Sequence, residues 1–145
     1  MVTVWALMGP GSAVHVADVA KHVPGVKVRE SSAQKQGVKY ATAGGGVLPN
    51  KGEADVKFVT EVNQVRQITF QNADAGMPIV STNKLAHEDT DITYMTDDGY
   101  ITNTVTEAKT PFIARDGVYF IKMKVPKNAM TARSPDLPFQ EGSQA

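Results

Sequence analysis

Of the 145 residues, 37 are branched at Cβ (18 Val, 13 Thr and 6 Ile), against only 4 Leu. Branching at Cβ restricts χ1 in a helix and packs well on a pleated surface, so this ratio biases the chain towards strands. With 12 Gly and 8 Pro as punctuation, apolar runs recur every ~8–12 residues, the spacing of an all-β barrel or sandwich. The length suits one domain that can bury a core without covalent staples.

Composition narrows the chemistry. Cysteine is absent, which excludes a disulfide framework, a thiolate zinc site and a cysteine nucleophile, and points to an intracellular or organellar setting rather than secretion. The three histidines, His15, His22 and His87, are scattered, so no metal centre is expected, and no cofactor motif is found. Fifteen basic residues balance fifteen acidic ones, removing the electrostatic case for nucleic acid as partner. No apolar run approaches the ~18–20 residues that span a bilayer. The apolar start MVTVWALM has no basic residue before Lys21, so it is expected as a buried first strand rather than a secretory signal.

Along the chain, Gly9-Pro10-Gly11-Ser12 forms a turn that no regular element crosses. Residues 17–23 fit one helical turn, stopped by Pro24-Gly25, with Asp18 as a cap. The alternation in 26–30 (VKVRE) predicts a strand, and 31–37 reads as a loop. Residues 38–42 and 47–48 predict a hairpin whose tip is Gly44-Gly45-Gly46. Strands follow at 53–60, with Val56 and Phe58 on one face, and at 64–73, with Ile68 and Phe70 on one face. A short apolar run at 77–81 precedes a helical turn at 83–87. The remaining strands are 91–96, 99–103, 110–115 and 118–125, with Asp98-Gly99 and Asp116-Gly117 as turn dipeptides. Residues 126–145 hold three prolines and only isolated apolar side chains, a composition that stays disordered alone in water. The chain therefore divides into a domain at 1–125 and a tail at 126–145.

The order of several segments resembles the retropepsin-like aspartic protease domain of copia-type retrotransposon polyproteins. Trp5-Ala6-Leu7 followed by Gly11-Ser12-Ala13-Val14-His15-Val16 is similar to that family's W-x-L-D-S-G-A-x-x-H opening, with one extra residue before the turn. Tyr40 to Gly46 followed by Asn50-Lys51-Gly52 resembles its flap hairpin. Pro78-Ile79-Val80-Ser81 with Lys84-Leu85 resembles its P-L-V-S-V-x-K-L segment, and Gly99 to Asn103 and Asp116 to Phe120 its closing hairpins. The resemblance covers about residues 2–125 and implies a small, closed or partly closed barrel with one or two short helical turns.

It also implies a catalytic turn, and here the sequence departs. In the family each subunit of a homodimer supplies one Asp from a D-[ST]-G turn, and the two carboxylates share a proton and activate water. The matching turn reads Gly9-Pro10-Gly11, so glycine stands where Asp belongs and proline where the hydroxyl belongs. Shifted by the extra residue, Met8 takes the Asp position and is equally inert. Neither supplies a general acid or base. No catalytic residue is therefore assigned.

Other patterns read as structure. The glycines at 44–46 are followed by Val47-Leu48-Pro49, so no helix starts there to cradle a phosphate. Glu88, Asp89, Asp91, Asp97 and Asp98 lack the alternating ligands of a calcium loop and read as a solvated turn. His15 reads as a hydrogen-bonded structural histidine. The basic residues Lys21, Lys27, Arg29, Lys35 and Lys39 form a solvated face, without the aromatic interleaving of a nucleic-acid surface.

The expectation is a catalytically inactive retropepsin-like domain acting as a structural or binding subunit of a larger assembly. Its partners would be other protein chains, engaged through the tail at 126–145 and through the former dimer edge or cleft, with a homodimer as one arrangement. The alternatives are a homodimeric aspartic endopeptidase of retroelement type and a peptide-binding module that does not cut.

Overall fold

The computed structural model describes residues 2–42, 45–86 and 89–126. The chain opens with β1 (Val2–Gly9), then β2 (Val16–Ala17), the short helices α1 (Val19–His22) and α2 (Ser32–Lys35), and the hairpin β3 (Lys39–Ala41) and β4 (Val47–Pro49). The long pair β5 (Glu53–Val59) and β6 (Val65–Asn72) leads to β7 (Ile79–Ser81) and α3 (Thr82–Ala86). Four strands complete it: β8 (Thr90–Tyr94), β9 (Asp98–Asn103), β10 (Lys109–Arg115) and β11 (Val118–Val125).

Pairing turns most of these strands into a ring. β1 lies antiparallel to β11 from Val2↔Val125 to Leu7↔Phe120, then runs parallel to β7 from Leu7↔Ile79 to Gly9↔Ser81. From β7 the sheet passes through β2, β6 and β5, and returns to β11 through the single pair Lys124↔Val59. The result is a partly closed barrel of six strands, from which β10, β9 and β8 extend as a flange. The fold is all-β, as the excess of β-branched residues predicts.

Alternation accounts for the interior. Along β5, Ala54, Val56 and Phe58 are buried between half-exposed neighbours, and Ile68 and Phe70 face them from β6. β1 contributes Val4, Ala6 and Met8, and β11 contributes Ile121, Met123 and Val125. Full burial of each of the larger side chains is worth about 1.5–3 kcal/mol. A second, smaller cluster joins Val16, Ala73 and Ala75, with Tyr40 and Leu48 of the β3–β4 hairpin packed against it.

Three local expectations are corrected. Residues 26–30 form no strand, only the bridge Arg29↔Glu53, because β5 begins at Glu53 and offers 26–28 no partner. Residues 32–35 form a helix where a loop is expected, with the Ser31 hydroxyl accepting from Gln34 N–H at 2.9 Å. Asp98-Gly99 lies inside β9 instead of at a turn, and the chain reverses just before it. Asp18 does cap α1, accepting from Lys21 N–H at 3.3 Å. Asp116 and Gly117 both take positive φ (54° and 79°), as a tight hairpin turn requires. Among the described residues no helix is long and apolar enough to cross a membrane. His87, Glu88, Gly44 and residues 127–145 lie outside the described residues, so the tail and part of the hairpin tip are not placed.

Candidate functional site

The turn after β1 is held from both sides. Ser12 N–H donates to Gly9 O at 3.3 Å, which closes the turn, and Ser12 Oγ donates to Val14 O at 2.6 Å. From β7, Ser81 Oγ donates to Ser12 O at 2.6 Å while accepting from Lys84 N–H at 3.1 Å. Ser81 N–H donates to Nδ1 of His15 at 2.9 Å. This last contact requires an unprotonated Nδ1, so the neutral ring carries its proton on Nε2. His15 is buried, and burial, with the nearby Lys84 charge, lowers its pKa to about 4. The histidine acts as a fixed acceptor under the turn.

None of the turn residues can move a proton. Pro10 and Gly11 are exposed, Gly9 is half-buried and Met8 points into the core. A Cβ built on Gly9 would lie 2.7 Å from Ile79 Cγ2, so the site is tight even for alanine. Asp18 is engaged as a helix cap. His22 Nε2 donates to Gly76 O at 3.1 Å, and its Nδ1 is buried without a partner among the described residues. Among the described residues, no group of three or more His, Asp or Glu side chains is placed to hold a metal ion.

Beside the turn lies an open groove of about 580 Å³. It exists because β1 leaves β11 after the Leu7↔Phe120 pair and turns to β7, so that Val118 and Tyr119 lose their neighbour on that side. Met8, Gly9 and Pro10 form one wall, and Tyr94, Val118 and Tyr119 the other. Among the described residues the lining holds no carboxylate, imidazole, lysine or arginine. Tyr94, Phe112 and Tyr119 pack edge to face in a triangle with centroid separations of 4.9 to 5.6 Å, which makes the aromatic wall rigid. Tyr119 OH donates to Met95 O at 3.3 Å, and Ala114 N–H donates to Asp97 O at 2.9 Å. Those contacts bring the β8–β9 turn alongside the β10–β11 turn at the groove rim. The two tips carry Asp97, Asp98 and Asp116, all exposed and in none of the described ion pairs.

The hairpin expected as a flap closes through Thr42, whose N–H donates to Gly46 O at 2.9 Å and whose Oγ1 accepts from Gly46 N–H at 3.1 Å. Gly45 sits between them with φ 89°. The hairpin is fastened by Asn50, whose Nδ2 donates to Tyr40 OH and to Gln71 Oε1, both at 2.8 Å. Asn50 Oδ1 accepts from Ser31 Oγ at 2.7 Å and from Gly52 N–H at 2.8 Å. Gly45 and Gly46 do not line the groove, so of the described residues singled out from the sequence it takes in Gly9 and Pro10 but neither of these two glycines.

Sequence reasoning missed Tyr94 of β8 and the pair Val118-Tyr119 of β11 as one site, because only the fold brings the two strands together. The basic residues are partly paired: Arg29 bonds Glu53 and Asp55; the hydrogen bond from Gln71, then that from Arg29, holds the Glu53 carboxyl below its ordinary pKa, and Arg29, then Thr69, does the same for Asp55. Comparison of the chain with protein-family models, with curated proteins and with solved structures gives no match.

Proposed function

We propose that this chain is a catalytically inactive retropepsin-like domain that serves as a structural or binding subunit of a larger multi-protein assembly. The observation that carries the reading is the groove at the Gly9-Pro10 turn, wide and mostly apolar, whose lining among the described residues holds no carboxylate to serve as the acid or base of an aspartic protease. The order of the resembling segments supports the same reading, as does the Gly9-Pro10-Gly11 sequence in the position of the family's catalytic turn.

The groove suits an extended segment of another chain. Where β1 departs, the free side of β11 at Val118 and Tyr119 offers main-chain groups for strand addition, and the aromatic wall offers apolar contact. Three aspartates on the rim, in none of the described ion pairs, favour a segment that flanks an apolar residue with lysine or arginine. In this reading the assembly is intracellular or organellar. The openness of the groove favours a close variant, a peptide-binding module that captures and releases its ligand without cutting.

A structure of the chain in its native assembly tests the proposal. A partner segment lying between Gly9-Pro10 and Tyr119 is the expected result. A two-fold mate facing the turn across a water-filled cleft, with a carboxylate from each copy within hydrogen-bonding distance, would restore the endopeptidase reading.

A further inference from the structure

At the other end of the barrel, Arg66 occupies an interior position. It shares the inward parity of Ile68 and Phe70 on β6 and is only 6 % exposed. No carboxylate among the described residues pairs with it. Its only described hydrogen bond runs from Nη2 to the neutral Gln64 Oε1, at 3.2 Å. Burial pulls its pKa below the ordinary value, as expected for a cation removed from water without a counter-charge.

A buried guanidinium without an anion carries a desolvation cost that a neutral amide does not offset. The same residue lines a cavity of about 20 Å³ whose other polar side chains are Thr60 and Thr110 and whose remaining walls are apolar, Phe58, Ile68, Leu85 and Ile121 among them. That volume holds about one water-sized group. Thr110 Oγ1 donates to the Gln64 Oε1 that Arg66 also contacts, at 3.5 Å, so a hydroxyl and a guanidinium stand around one small space. Thr60, fully buried, fixes Gln64 by accepting from its main-chain N–H at 3.1 Å.

We infer that Arg66, with Thr110, forms a binding site for one small monovalent anion, of the size of a halide or a single carboxylate group. The cavity has no room for a phosphate or sulfate beneath the guanidinium. A carboxylate would be donated by a partner's side chain or chain terminus reaching the barrel end, a halide by the solvent. The site is independent of the groove at Gly9 and of the proposed binding role.

Thermal unfolding of the full chain tests it, with chloride or acetate titrated at fixed total salt against methanesulfonate, which is too large to enter. An anion bound only by the folded state raises the midpoint saturably, by about 4 °C at a tenfold excess over its Kd. Arg66→Met is expected to abolish the saturable rise. Should that variant fail to fold, Thr110→Val keeps the cation and is expected to weaken the anion about fivefold. Response to acetate alone identifies a carboxylate ligand, and response to chloride alone a free halide. No saturable rise with either anion, or a rise unchanged in both variants, overturns the site and leaves water alone solvating Arg66.

Discussion

Nδ1 of His15 accepts the main-chain N–H of Ser81 at 2.9 Å, joining the segment after the β1 turn to the end of β7. Protonation of that nitrogen breaks the bond and places a charge in the core. With a pKa of about 4 in the folded state against 6.5 for the free side chain, the unfolded chain binds the proton first as the pH falls. The stabilisation is therefore complete above pH 6.5 and is lost as the pH drops through 4, amounting to about 3 kcal/mol. Denaturant titrations across this range are expected to show that loss. His15→Asn, which keeps an acceptor without a titrating ring, is expected to show a flatter profile.

Replacing Gly9 by aspartate puts a carboxylate where the resembling family has one. The Cβ meets Ile79 Cγ2 at 2.7 Å, and Pro10 still lacks the neighbouring hydroxyl. Gly9→Asp is expected to lose about 1–3 kcal/mol of stability and to gain no peptidase activity. Turnover of a peptide substrate by this variant would show that the turn needs only its missing acid.

The Asn50 side chain makes four described hydrogen bonds, to Ser31, Tyr40, Gly52 and Gln71. Removing its amide leaves buried partners unsatisfied, so Asn50→Ala is expected to cost about 2–3 kcal/mol. The loss should be local as well as global. Amide exchange at Tyr40 and Leu48 is expected to accelerate more than at Val56 or Ile68, because the hairpin forms a separate two-stranded sheet.

Gly99 is required for close approach. A Cβ there would lie 2.3 Å from Thr93 O and 2.4 Å from Phe112 Cζ. Gly99→Ala is expected to destabilise by about 3 kcal/mol or more, through displacement of β8 or of the Phe112 ring. Gly11→Ala, where nothing lies within 4 Å, is the control and is expected to change stability by less than about 0.5 kcal/mol.

These residues also show what the sequence can convey. β5 and β6 are legible because their apolar period of two is matched by a partner along their whole length, from Glu53↔Gln71 to Val59↔Val65. The 26–30 segment has the same period but no partner beyond Arg29, and pairing is decided by distant chain. The helix at 32–35 was signalled by Ser31 and Gln34 in the S-x-x-Q spacing of a capping box, backed by Gly37 at φ 70°. Arg66 was also visible, as a charge on the inward parity of a strand. The groove was not visible, since it arises where β1 changes partner from β11 to β7, a tertiary event without a local pattern.

The most direct measurement of the central claim exposes the domain to a library of extended peptides and weighs by mass spectrometry what is retained and whether it is intact. Peptides with an apolar residue between lysines or arginines are expected to be retained whole, and Tyr119→Ala to release them. Cleaved products that depend on the wild-type chain, or retention indifferent to Tyr119, would contradict the account.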